Sequence, residues 1–201
     1  MAKQLVQGGS RALDAPCYPT QFGCDAGAAT HYAYDPAKAK QLLAEAGFPN
    51  GFDTEQVTYE LPSWAGAMQN YLKAVGINAR LSSLQVAAVV QRSLAGQNPM
   101  EAGDWGSYSI NDVSAILPQY FGGGNADYTR DPEIMELVKT GGSTTDPDQR
   151  RKAYSKAIKL ITERAYWIPM YTYTVTYGIS RQLNFKPYPD ELPRFYLSSW
   201  K

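Results

Sequence analysis

Three Asp-Pro dipeptides, Asp35-Pro36, Asp131-Pro132 and Asp146-Pro147, constrain this chain more than any other feature. An Asp side chain caps the free amides of a helix start, and Pro, with its fixed φ and missing N–H, fits the first helical position. Each dipeptide therefore predicts a helix at a defined place, and an apolar stripe follows each one. Behind Asp35, the residues Ala39, Leu42, Leu43 and Ala46 recur at i, i+3, i+4 and i+7, and Gly47 fits the carboxyl cap. Behind Asp131 a short helix holds Ile134, Leu137 and Val138. Behind Asp146 a long helix carries Tyr154, Ala157, Ile158 and Ile161, with Gln149 placed for a capping box.

Between these helices the hydrophobic period switches back and forth. Residues 54–61 read as a strand through Val57 and Tyr59. Ser63 is placed to cap a helix lined by Trp64, Met68, Tyr71, Leu72 and Val75. Ile77, Ala79 and Leu81 then alternate with Asn78, Arg80 and Ser82, the period of a half-buried strand. A helix over 85–95 is expected to turn Val86, Val89, Val90 and Leu94 inward, and another strand follows near 100–106. Strand, helix, strand, helix, strand is the signature of an α/β fold, here a mixed sheet flanked by helices. Residues 166–179 have strand composition, with Pro169 at a strand start or an edge. Residues 10–34 read as irregular chain, Gly122-Gly123-Gly124 as a flexible loop, and 184–201, with three prolines and no clear period, as an extension.

Composition narrows the function classes. Nineteen basic residues balance nineteen acidic ones, which argues against the clustered positive face of a nucleic-acid binder. No run of ~18 apolar residues could form a membrane span. The start, Met1-Ala2-Lys3-Gln4-Leu5, lacks the apolar region of a secretory signal, so a signal for export is expected in sequence outside these residues. Fifteen Tyr and four Trp stand beside six Phe. That bias suits half-wet clefts and interfaces, and equally suits half-buried strands. Cys17 and Cys24 enclose Tyr-Pro-Thr-Gln-Phe-Gly, a turn-rich loop able to close as a disulfide. Two free thiols are the alternative, and the spacing is not that of a zinc site. A bridge over so short a loop would add roughly 2–3 kcal/mol by the loop-entropy relation.

Catalytic signals are thin. His31 is the single histidine, in a Thr-His-Tyr-Ala-Tyr segment that reads as surface loop. The chain has no Gly-x-Ser-x-Gly elbow, no His-Glu-x-x-His pair and no phosphate-binding glycine loop. No catalytic residue, metal or other cofactor is implied. The segment from Gly103 to Asp112 is richer. It follows a predicted strand, and ligands of open α/β sheets sit at the carboxyl ends of strands. Trp105 and Tyr108 are candidate stacking walls there, with Ser107, Ser109 and Asn111 as hydrogen-bonding partners. The competing reading makes Trp105 a core residue and Asp112 a helix cap.

The run Tyr34-Asp35-Pro36-Ala37-Lys38-Ala39-Lys40-Gln41-Leu42-Leu43-Ala44-Glu45-Ala46-Gly47-Phe48-Pro49-Asn50-Gly51-Phe52 resembles a hallmark of the family 5 extracellular solute-binding proteins, the dipeptide, oligopeptide and nickel binders. Leu72 to Ile77, Trp105-Gly106, the helix from Asp146-Pro147 to Tyr154, and Tyr166 to Tyr171 resemble later landmarks of the family in the same order, and Gln4 to Gly9 resembles the end of the helix before the chain crosses lobes. The resemblance implies the carboxyl-terminal lobe of a type II periplasmic binding protein. Residues 1–34 would cross from a missing amino-terminal lobe, 35–183 would form the ligand-binding lobe, and 184–201 would return to the missing lobe. It also implies a periplasmic protein that passes a peptide or peptide-like solute to the membrane permease of an ABC importer. A solute sensor or chaperone on the same scaffold, or a hydrolase or transferase, are the alternatives. Peptide-binding members carry an Asp three residues after the loop Trp to pair with the ligand's ammonium. Here that position is Tyr108; either Asp104 or Asp112 substitutes from another angle, or modified peptides, opine-like conjugates, sugars or other solutes fit the implied site better than ordinary dipeptides. The aromatic tail, with Phe185, Tyr188, Leu192, Phe195, Tyr196, Leu197 and Trp200, is expected to be either poorly ordered or packed against a neighbouring molecule, and the fragment to self-associate at high concentration.

Overall fold

A computed structural model describes residues 8–59, 63–188 and 192–201. Residues 4–7, 60–62 and 189–191, on which parts of the readings above fall, lie outside the described residues.

The first half is a parallel sheet with crossover helices. Helix α1 spans Pro36–Glu45 and strand β1 Phe52–Thr58. Helix α2 (Ser63–Ala74), strand β2 (Ile77–Ser83), helix α3 (Val86–Leu94) and the short strand β3 (Met100–Glu101) follow. The strand order is β2-β1-β3, and both pairings are parallel. Asp35 caps α1 by accepting the Lys38 N–H at 2.9 Å. The helix ends in a Schellman arrangement, with Phe48 N–H donating to the Leu43 carbonyl and Gly47 N–H to that of Ala44. Gly51 is obligatory: its φ is +75°, and a Cβ there would stand 1.8 Å from the Gly76 carbonyl oxygen. The turns into β1 and β2 therefore touch backbone to backbone, and Phe52 N–H donates to Gly76 O at 3.1 Å.

The second half is helical. Helix α4 spans Leu117–Phe121, α5 Pro132–Ser143 and α6 Pro147–Glu163. Asp131 and Asp146 cap α5 and α6, each accepting two backbone amides. The Gln149 side chain bonds the Asp146 carboxylate at 3.0 Å, while the Asp146 N–H donates to Thr144 Oγ1, so the capping box closes in a variant form. Asp131 also binds Arg164 and Tyr166. Burial pushes its acidity the other way, but those bonds and the amide of Ile134 together hold its carboxyl below the usual range. Val113, Leu117, Phe121, Ile134, Tyr154, Ala157, Ile158 and Ile161 are all fully buried, and Ala15 and Cys17 of the lead-in segment join them. Gly141 lets α5 approach α6, since a Cβ there would meet the Tyr154 ring at 2.4 Å.

Several expectations need correction. No residue of α1 is buried: Ala39 and Leu43 are half-buried and Leu42 is exposed. In α3 only Val89 is buried, while Val86, Val90 and Leu94 are 56%, 49% and 48% exposed. Periodicity reports that a face wants cover, but not that cover is at hand. Tyr71 of α2 is also exposed. Residues 166–179 form no strand: they pair with the lead-in segment at one antiparallel bridge, Ala12 with Tyr171, and β propensity without a partner builds no ladder. The glycine loop is pinned rather than flexible. Buried Asp127 accepts the Gly123 N–H at 2.9 Å and the amides of Thr129 and Arg130, and Arg130 returns a bond to the Gly123 carbonyl. The tail is no mere extension. Strands β4 (Leu183–Asn184) and β5 (Ser199–Trp200) pair antiparallel, and the Phe185 ring packs at a tilt against those of Tyr177 and Phe195. Its outer apolar residues, the aromatics Phe195, Tyr196 and Trp200 with Leu197, stay exposed.

Candidate functional site at the carboxyl edge of the sheet

The three strands end on one side of the molecule, and two features meet there. A shallow open groove lies past β1 and β2, lined by Tyr59, Ser83, Leu84, Gln85 and Val86. Past β3 runs the loop from Gly103 to Asp112. Tyr59 joins the two, because its Oη accepts the Asp104 N–H at 2.7 Å and its ring fills the space beside Gly103.

The loop has an unusual backbone. Ser107, Tyr108 and Ser109 have φ of +54°, +49° and +63°, three consecutive non-glycine residues in the left-handed region. Each such residue costs roughly 1–2 kcal/mol, so surrounding contacts must hold the turn. Inside it, Ser109 N–H donates to the Gly106 carbonyl at 3.2 Å and Ile110 N–H to that of Ser107 at 2.8 Å. The turn projects Tyr108, whose exposure is 72%, edge-on to Trp105 with ring centroids 4.8 Å apart. Trp105 in turn packs edge-on to Tyr120, and Tyr120 to Trp167. The result is an aromatic file from the buried core to the surface.

The sequence-derived candidates thus divide. Trp105 is half-buried against the helical core and also supports Tyr108, so the core and wall readings both describe it. Its indole N–H is buried without a hydrogen-bond partner among the described residues. Tyr108 is the exposed wall. The Ser107 hydroxyl is already engaged by Gln21 Nε2 at 2.7 Å, and the Asn111 carbonyl by the Phe22 N–H at 3.0 Å. Ser109 is half-buried in the turn. Asp112 is spoken for by Arg150 at 2.9 Å and the Ser114 amide. The Tyr120 phenol is pushed up to about 12 by burial first and then by the nearby carboxylates of Glu101 and Asp104. Tyr59, Ser83, Gln85 and Gln21 escaped the sequence reading. Ser83 is the last residue of β2, and Tyr59 and Gln85 stand just past strand ends, the position that pointed to Trp105. Gln21 carried no local signal, since it reaches Ser107 across 86 residues.

The remaining candidates are structural. Cys17 and Cys24 form a disulfide. His31 pairs with Asp14 at 2.9 Å, its side chain 72% exposed, as a surface contact. No group of three His, Cys, Asp or Glu that could hold a metal occurs among the described residues, and none of their helices is long and apolar enough to cross a membrane.

Comparison with known proteins places this geometry in a family. The chain is 29% identical over 181 residues to heme-binding protein A of Haemophilus influenzae, covering 83% of this chain and 32% of that protein. It is 27% identical over 161 residues to the glutathione-binding protein GsiB of Escherichia coli strain K12, covering 69% and 30%. It therefore spans about a third of the length of these curated relatives. Among solved structures it superposes on HbpA2 of Haemophilus parasuis with a TM-score of 0.79 at 25% identity, over 100% of this chain and 42% of the other. The dipeptide-binding protein of Pseudoalteromonas sp. SM9913, solved with Met-Leu, shares the fold with a TM-score of 0.76 at 20% identity, again over 100% and 42%. Residues 1–128 match the model of the bacterial extracellular solute-binding proteins, family 5 Middle, and the chain belongs to that family.

Proposed function

We propose that this chain supplies one wall of a solute-capturing cleft, formed by Trp105 and Tyr108 with Tyr59 and the groove from Ser83 to Val86, as the carboxyl-terminal lobe of a longer protein. The observation that carries the reading is the left-handed turn Ser107–Ser109. A chain does not hold three strained residues merely to expose a tyrosine beside a tryptophan, and strain of this kind collects where a ligand is met. Ser109 and the Asn111 side chain lie within the same loop and complete the polar lining. The family membership supports capture outside the cytoplasm and, in a periplasm, delivery to an ABC permease rather than turnover. One named relative supports a solute of peptide or conjugate type, since its name records glutathione, while the other's name records heme, a different class. Tyr108, a neutral ring in the loop, supports a modified or conjugated solute over a simple dipeptide. On this reading residues 1–34 lead in from another lobe and 184–201 lead back toward it.

The test is a thermal-shift screen of the protein against short peptides, glutathione, opine-type conjugates and hemin. A bound solute raises the melting temperature by mass action. At least one class is expected to do so, and Trp105→Ala to abolish that rise. A Trp105→Ala protein that melts much lower yet keeps the full ligand-induced rise would leave Trp105 as core alone and sink the proposed wall.

A further inference from the structure

The left-handed turn is held from outside by a second loop, the one that the Cys17–Cys24 disulfide closes. Gln21 sits inside that loop and is buried. Its Oε1 accepts the Tyr18 N–H at 3.0 Å, which fixes the amide within its own loop. Its Nε2 then donates twice across the interface, to Ser107 Oγ at 2.7 Å and to the Ile110 carbonyl at 3.2 Å, at the two ends of the strained turn. The next residue, Phe22, forms a parallel bridge with Asp112: Phe22 N–H donates to Asn111 O and Val113 N–H to Phe22 O, both at 3.0 Å. The Phe22 ring lies under two guanidiniums, Arg150 and Arg151, each 4.7 Å from its centroid. Arg150 closes the circuit through its ion pair with Asp112. The loop is seated as well as tied. Cys17 is buried in the helical core, and Gly23, at φ +80°, packs so closely that a Cβ would stand 2.8 Å from the Tyr154 ring.

We infer that the disulfide loop is a positioning device for the strained turn, with Gln21 as the positioning residue that holds Tyr108 edge-on to Trp105. The bridge closes a loop of such short span that Gln21 and Phe22 face the turn together; opening it frees both. Its bearing on solute capture rests on the reading above, but the clamp itself does not. Reduction by a water-soluble phosphine converts the disulfide to two thiols and the phosphine, with one water, to its oxide. The consequence is local: the turn from Ser107 to Ile110 loosens while the core beneath it stays folded.

Hydrogen exchange of backbone amides tests this without any solute. In Gln21→Met, which keeps the volume and loses the bonds, the Ser109 and Ile110 amides are expected to exchange at least tenfold faster at an almost unchanged melting temperature. The phosphine-treated wild type is expected to show the same local acceleration, with the amides of Ile158 and Ile161 still protected. Adding Ser107→Ala to Gln21→Met should add little, because both remove the same bond. Wild-type exchange rates in Gln21→Met and in the reduced protein would overturn the inference. So would opening of the turn only together with the core amides, which would make the disulfide a global staple. A failure to find any solute that binds would count against the capture reading and leave the clamp to be decided by exchange alone.

Discussion

The two halves of this molecule bear the same apolar-polar pattern and use it differently. In the helical half the stripes of α5 and α6 meet each other, α4 and the disulfide loop, and their large residues are fully buried. In the sheet half Gln56 to Thr58 of β1 and Ala79 of β2 are buried, yet α1 buries no residue and α3 only Val89. The sheet half buries a smaller apolar cluster around Trp64, Ala65 and Ala102, and adds polar and backbone devices. Glu55 on β1 stands opposite Arg80 on β2 and accepts from Arg80, Ser82 and Arg92 at 2.9, 2.6 and 2.7 Å. Gly51 and Gly76 lock the two strand-entering turns. One half is stabilised by a large apolar core, the other by a smaller one together with register and charge, and the candidate site lies on the seam between them.

The sharpest way to break this comparison is a deletion in each half. Phe121→Ala empties a fully buried aromatic site in the helical half, and chemical denaturation should record a loss of about 3–5 kcal/mol. In the sheet half the corresponding weak point is backbone. Gly51→Ala adds a Cβ that cannot coexist with the Gly76 carbonyl at a φ an L residue resists, and should cost about 1–3 kcal/mol. Exchange should locate that damage in β1 and β2 and leave α5 and α6 protected. A uniform loss across both halves would mean a single cooperative core and no division of the kind drawn above.

Acid should separate the halves less strongly. The hydrogen bond from Arg92, then that from Ser82, then the charges of Arg92 and Arg80, outweigh burial and hold the Glu55 carboxyl at about 2 against an ordinary 4.5. A folded value below the unfolded one means that the contribution is whole above about 4.5 and is lost as pH falls from there through about 2. Melting temperature followed over that window should fall less steeply in Glu55→Gln than in the wild type. Asp131 and Asp146 keep their own acid sensitivity in the helical half, so the slope should be reduced and not abolished. An unchanged slope would remove Glu55 as a support of the sheet.

How much of this was legible follows from the range of each interaction. Asp35, Asp131 and Asp146 bond amides two or three residues away, so the helix starts were readable from dipeptides. Parallel pairing was readable from alternation, because parallel strands need crossovers and the helices stood between them, but the order β2-β1-β3 was not. Trp105 and Tyr108 were readable as a site because a strand end preceded them. Their support was not: Gln21 meets Ser107 and Phe22 meets Asp112 across some ninety residues, and no local pattern announces either contact. Nor did composition tell that three residues would take left-handed geometry, since Ser-Tyr-Ser lacks the glycine that usually marks it. The strand expected at 166–179 failed for a similar reason. Its propensity is a property of the segment, whereas a ladder is a property of two.

The smallest expected effect probes the uncovered stripe of α3. Val86, Val90 and Leu94 are about half exposed, so replacing each by Gln removes little burial in this chain. Each substitution should change stability by no more than about 0.5 kcal/mol, the usual range of surface changes. The same three residues form an apolar band on one helix, and such bands, with the outer aromatics of the tail, drive molecules together. Light scattering at high protein concentration should therefore find association in the wild type and less of it in the Val86→Gln/Val90→Gln/Leu94→Gln variant, at nearly equal melting temperature. A cost above 1 kcal/mol for any single change would place the stripe under cover in the isolated molecule and erase the contrast between the halves. Strictly monomeric wild-type protein would leave the contrast standing and reject the stripe as the adhesive surface. The pairing of stability with scattering is what makes the test decisive, because a covered stripe raises the first and an adhesive one moves only the second.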